Sequence, residues 1–149
     1  MTDLRPILLV EDNPKDLELT LAALSKCQLA NEIVVARDGT EALDYLYGRE
    51  AYADQGPGDP AVVLLDLKLP KVDGLEVLET VKSDHDHRRI PVVMLTSSRE
   101  ERDLVRSYEL GINAFVVKPV DFNAFFEAIQ DLGMFWAILN EPPPGGYRA

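Results

Sequence analysis

Val62-Val63-Leu64-Leu65-Asp66 is four unbroken apolar residues closed by a carboxylate, and that form sets the fold. A strand with one wet face alternates apolar and polar residues, whereas a short run that is apolar throughout is buried on both faces, as the strands of a parallel sheet are. Three further runs share the pattern: Ile7-Leu8-Leu9-Val10 before Glu11-Asp12, Val92-Val93-Met94-Leu95 before Thr96, and Phe115-Val116-Val117 before Lys118. In an open α/β sheet the ligand site lies just beyond the carboxyl ends of the strands. These polar residues should therefore meet in one place.

The segments between the runs read as helices and turns. Asn13 suits the N-cap position and Pro14 the first helical one. Leu17, Leu21 and Leu24 then form an apolar stripe, with Glu18 and Thr20 facing water. A second strand is expected over 32–37. Gly39 and Thr40 open a helix buried through Ala42, Leu43 and Leu46, with Gly48 as its left-handed stop. Residues 49–60, carrying Gly56-Pro57-Gly58-Asp59-Pro60, read as a long surface loop, a kind that is usually functional or mobile. The turn Leu69-Pro70-Lys71-Val72-Asp73-Gly74 leads into a helix from Leu75 to about Ser83, and Pro91 marks entry to the fourth strand.

A helix from Ser97 to Leu110, ended by Gly111 and Asn113, precedes the fifth strand, Ala114 to Val117. Asp121 caps a last helix bearing Phe122, Phe125, Phe126, Ile129 and Leu132. The stretch from Gly133 to Leu139 extends that helix or packs as a separate arm, and the Pro/Gly-rich residues 141–149 form a flexible tail. Strand and helix thus alternate five times. The expected fold is α/β: a doubly wound, five-stranded parallel sheet of order 2-1-3-4-5 with five helices on two faces. One domain covers 1–140.

Composition bounds the function. The 149 residues and 46% hydrophobic content suit one domain with a real core. Fifteen Lys and Arg against 26 Asp and Glu give a net charge of -11, which disfavours direct contact with nucleic acid or an anionic membrane. The single Cys27 cannot form an intramolecular disulfide, and no leading segment looks like a secretory signal, so a cytoplasmic protein is expected. No apolar stretch approaches the roughly 20 residues that span a bilayer.

The topology makes the first and third strands neighbours, which sets Glu11, Asp12 and Asp66 side by side. Carboxylates that close repel, and a hard divalent cation resolves the repulsion. Mg²⁺ fits such a site, with the carbonyl of Lys68 expected as a backbone ligand and a phosphate oxygen and waters completing the shell. Any one acid at a strand end reads most simply as a solvated side chain, but three acids converging with a lysine do not. Asp66 can then act as nucleophile toward phosphorus, with Lys118 pairing the transferred group and Thr96 donating its hydroxyl. His85 and His87, beside Asp84 and Asp86, read as a solvated loop rather than a metal site, and Cys27 as ordinary packing.

These residues resemble the receiver domain of two-component response regulators. The likeness rests on Leu9-Val10-Glu11-Asp12-Asn13, Leu64-Leu65-Asp66-Leu67, Leu69-Pro70 with Asp73-Gly74, Leu95-Thr96-Ser97 and Ala114-Phe115-Val116-Val117-Lys118-Pro119. It implies a flavodoxin-like fold in which Asp66 is the phosphoacceptor, Glu11 and Asp12 hold Mg²⁺, Thr96 is the switch hydroxyl, Phe115 the switch aromatic and Lys118 the phosphate partner. The phosphodonor would be the phosphohistidine of a sensor kinase. Lys68 and Ser98 occupy positions where that family tunes water access. The long loop, Leu67-Lys68-Leu69-Pro70-Lys71 and the closing Phe135-Trp136 followed by prolines resemble stand-alone regulators paired with bacterial phytochromes.

Two other readings keep the same acids. An aspartyl-phosphate hydrolase of the haloacid-dehalogenase type would want a second acid two residues after its nucleophile, where Lys68 stands. A scaffold that is never phosphorylated would use the fold for dimerisation alone. A flavodoxin-like nucleotide module shares the topology, but the Glu11-Asp12-Asn13-Pro14 turn has no glycine cradle and would repel phosphate without a cation. With few residues left after Leu139, output by protein contact is expected. A homodimer through the last two helices, the fifth strand and the segment from Phe135 to Leu139 suits the aromatic character there.

Overall fold

A computed structural model describes residues 5–26, 31–96, 106, 108–118 and 120–131. Five parallel strands, β1 (Ile7–Val10), β2 (Ile33–Ala36), β3 (Val62–Asp66), β4 (Val92–Thr96) and β5 (Ala114–Val117), stand in the order β2-β1-β3-β4-β5. The order reverses at β1 and β3, which pair from Ile7 with Val62 to Val10 with Leu65. The second strand is shorter at each end than the expected 32–37.

Helices cover both faces. On one side α1 (Pro14–Lys26) and α5 (Phe122–Asp131) pack Ala23, Leu24, Phe125 and Ala128 against Ile7, Leu9, Leu64 and Leu95. On the other, α2 (Gly39–Tyr47) and α3 (Gly74–Ser83) pack Ala42, Leu46, Val77 and Leu78 against Leu8, Val10, Leu65 and Met94. Residue 106 and residues 108–110 are helical and belong to the helix expected from Ser97, here α4, and Leu110 joins the second layer. The other residues of the expected helix 97–110, Cys27, Ser98 and everything from Leu132 onward lie outside the described residues. Among those described, no helix is long and apolar enough to cross a membrane.

Local chemistry sets the helix ends. The Asn13 side chain accepts from the amides of Lys15 and Asp16 at 2.9 and 3.0 Å, Asp38 from Glu41 at 2.8 Å, and Asp121 from Ala124 at 2.8 Å. Each satisfies a donor left open by the first turn. Gly48 closes α2 in the left-handed conformation, φ 65°, as expected.

Three expectations are corrected. Thr20 does not face water; it is buried, because it lies three residues from Leu17 and four from Leu24, on the stripe that meets the sheet. The segment 49–60 is not loop throughout: Glu50–Tyr52 forms a 3₁₀ turn, Tyr52 packs edge-on against Tyr45, and the Gly58 amide donates to the carbonyls of Tyr45 and Leu46. His87 is not solvated, although His85 is exposed. Its Nδ1 lies 2.5 Å from an Asp84 carboxylate oxygen and its Nε2 2.7 Å from the Leu46 carbonyl, so the ring ties the end of α2 to the segment leading into β4.

Candidate functional site

The carboxyl ends of β1, β3, β4 and β5 deliver the site. Glu11 follows β1 with its amide still bonded to the Ala36 carbonyl at 3.0 Å, and it is completely buried. Asp66 is the last residue of β3 and is also buried. The side-chain oxygens of Glu11, Asp12 and Asp66 come within 4.8 Å of one another, with Asp12 half-buried at the rim. Three hard oxygens at that spacing fit a divalent cation such as Mg²⁺ or Mn²⁺. The donor set contains no soft ligand that would favour zinc or copper.

Lys118 leaves β5 with its amide donating to the Thr96 carbonyl at 2.7 Å, which fixes where its side chain starts. The ammonium donates to Glu11 Oε1 at 3.1 Å, to Asp66 Oδ2 at 3.1 Å and to Asp16 Oδ2 at 3.0 Å. Burial opposes the charge on Lys118, but its bond to Asp16 and the field of and bond to Asp66, with Glu11 adding to them, hold its pKa well above the usual lysine value. Glu11 is pushed the opposite way to most paired acids, up to about 7, first by burial and then by its bond with and repulsion from Asp66. The Asn13 amide, bonded to Glu11 at 3.2 Å, and Lys118 only partly offset this. Three acids bonded to one ammonium, with Asp12 beside them, leave an excess of negative charge that a divalent cation would balance.

The remaining expected residues fall in place around this centre. Thr96 ends β4 and is buried, one strand over from Asp66. Pairing of Met94 with Phe115 puts Thr96 on the same sheet face as Phe115, two residues further along. Phe115 is half-buried and meets the Tyr108 ring edge-on, with centroids 6.3 Å apart. Lys68 donates its amide to Asp66 Oδ1 at 3.2 Å, which orients the carboxylate. Asp16 joins the site without a distinctive sequence motif. Its signal was present as an acid three residues after an Asn N-cap, but there an acid reads as favouring the helix dipole rather than reaching a lysine 102 residues away.

A parallel sheet in this order thus gathers acids from β1 and β3, a hydroxyl from β4 and a lysine after β5 at its carboxyl edge. The family model for the response regulator receiver domain matches residues 7–130, and the chain belongs to that family. Among its relatives is response regulator Rcp1 of Synechocystis sp. (strain ATCC 27184 / PCC 6803 / Kazusa), 39% identical over 130 residues that make up 87% of each chain. The solved structure of the bacteriophytochrome response regulator AtBRR is 78% identical, with a TM-score of 0.84, covering 94% of this chain and all of that one. Rcp1 has also been solved in a Mn²⁺-bound form, 36% identical with a TM-score of 0.74, covering 97% of this chain and 99% of that one.

Proposed function

We propose that this protein is a response regulator that accepts a phosphoryl group on Asp66 from the phosphohistidine of a sensor histidine kinase, a bacteriophytochrome, with Mg²⁺ as cofactor. The observation that carries the reading is Lys118 Nζ at 3.1 Å from Asp66 Oδ2 beside a three-carboxylate cluster. The likeness to AtBRR supports the phytochrome partner, and the Mn²⁺-bound form of Rcp1 supports a divalent ion.

In this reading an Asp66 carboxylate oxygen attacks phosphorus, the P–N bond to the donor imidazole breaks, and its electron pair stays with the imidazole nitrogen, which is protonated from solvent. Glu11, Asp12, Asp66 and the Lys68 carbonyl would hold the divalent cation, which when bound would supply charge neutralisation for the phosphoryl group. Lys118 pairs with the same charge, and Thr96 donates its hydroxyl to a phosphoryl oxygen. Movement of Thr96 then opens space on the face shared with Phe115, so two arrangements of one surface differ in partner affinity. The output is contact in the cytoplasm, with a homodimer through the last two helices, β5 and residues 135–139. Removal of 133–149 gives a monomer in sedimentation; an unchanged dimer refutes that part.

The main test is intact-protein mass after incubation with Mg²⁺ and acetyl phosphate, for the native chain, Asp66→Asn and an EDTA control. A Mg²⁺-dependent, hydroxylamine-labile adduct of one phosphoryl group, absent from the variant, is expected. An adduct that survives Asp66→Asn overturns the assignment. No adduct together with no Mg²⁺ binding favours the scaffold reading.

A further inference from the structure

The Lys118 ammonium has three N–H donors, and all three are in use: Glu11, Asp66 and Asp16 each accept one at 3.0 to 3.1 Å. A phosphoryl group on Asp66 brings new oxygens and close to two negative charges to the same place. The ammonium can serve them only by giving up a partner. The three acids differ in how they tolerate that loss. Glu11 has no solvent exposure and belongs to the acid cluster, and Asp66 becomes the anchor of the new group. The Asp16 side chain is 31% exposed, so water can replace the lysine there.

Distance supports the same choice. Because both carboxylates touch one nitrogen, Asp16 Oδ2 and Asp66 Oδ2 lie no more than about 6 Å apart. A phosphoryl group on Asp66 therefore comes within reach of the Asp16 charge and is repelled by it. Asp16 sits in the first turn of α1, where the Asn13 cap bonds its amide. Its backbone is fixed while its carboxylate remains free to turn outward.

We propose that Asp16 is a positioning residue that holds Lys118 in the unphosphorylated site and competes with the phosphoryl group for it, so that loading Asp66 requires the Asp16–Lys118 ion pair to open. The inference rests on the phosphoacceptor reading of Asp66. It makes Asp16 a brake on the phosphorylated state and sets it apart from Glu11 and Asp12.

The experiment is titration of the full chain in Mg²⁺ with beryllium fluoride, a non-covalent phosphoryl mimic, followed by NMR. Asp16→Asn, which keeps size and removes charge, is expected to bind about five-fold more tightly, the worth of a partly exposed ion pair. Asp16→Glu should stay near the native affinity. Glu18→Gln, which makes the same change in net charge on an exposed position of α1, should do so too. In the native chain the side-chain carboxyl ¹³C resonance of Asp16 should move on titration as its partner leaves, a readout that a merely structural role would not shift. An Asp16→Asn affinity within two-fold of native, or an unmoved Asp16 carboxyl resonance during saturation, overturns the inference and leaves the phosphoacceptor reading standing. A native chain that takes up no beryllium fluoride overturns both.

Discussion

Gly74→Ala puts two opposing effects on one atom, and their magnitudes decide the outcome. Alanine is favoured over glycine inside a helix by about 1 kcal/mol, so on propensity alone the change stabilises α3. A methyl group at Gly74, however, would lie 2.3 Å from the Asp66 carbonyl oxygen and 2.6 Å from that of Leu67. Carbon–oxygen contact is ordinary only from about 3.3 Å, so backbone must part from backbone by about 1 Å. The Asp73 cap, 2.8 Å from the Gly74 amide, and the buried Val77 and Leu78 resist such a shift. Overpacking of this kind costs about 1–3 kcal/mol, and a weakened cap adds about 1 kcal/mol.

The clash wins, and we expect a net loss of about 2 kcal/mol. In urea, with a slope of about 1–3 kcal/mol per molar, that lowers the midpoint by about 1 M without changing the slope. Thr80→Ala, on the exposed side of the same helix, should leave the midpoint unchanged or slightly higher. Because the displaced carbonyl belongs to Asp66 itself, Gly74→Ala should also weaken divalent-cation binding. A midpoint equal to or above that of the native chain would refute the reasoning.

Lys118→Met leaves Glu11 and Asp66 buried together without their cation, and should cost about 3–5 kcal/mol at pH 8 in EDTA. Excess Mg²⁺ should recover much of that in thermal melts; a loss indifferent to Mg²⁺ would mean that packing, not charge, is at stake. Because Glu11 sits at about 7, a divalent ion must displace its proton below that pH, and affinity by calorimetry should fall by up to about ten-fold per unit there. Constant affinity from pH 8 to 6 contradicts this. Bonds from Tyr47, His87 and the Asp86 amide hold the Asp84 carboxyl down to about 2, below its unfolded value of about 3.9. A depressed carboxylate stabilises the fold above its unfolded pKa and loses that contribution as pH falls through the folded one. Native stability should thus drop more steeply between about pH 4 and 2 than that of Asp84→Asn, and parallel acid profiles would refute it.

The sheet was legible because burial on both faces writes itself as continuous apolar residues, and its switch point turned Glu11, Asp12, Asp66, Thr96 and Lys118 into neighbours without any contact being known. Less legible are residues whose chemistry and position point different ways. Thr20 reads as polar by type, yet its place on the helix wheel is apolar. His87 looks like loop histidine until the Leu46 carbonyl, 41 residues away, appears beside it. Asp16 has a sufficient local explanation at the start of a helix, and only the return of β5 shows its second use.

The strands themselves partition the interior. Leu8 and Leu9 are adjacent in the chain, yet one belongs to the layer under α2 and α3 and the other to the layer under α1 and α5. Among the described residues, the two hydrophobic layers share no packing partners, only the hydrogen-bonded backbone between them. Substitutions in one layer should therefore combine with those in the other almost additively. Each layer can thus be repacked against its own pair of helices while the other keeps its shape.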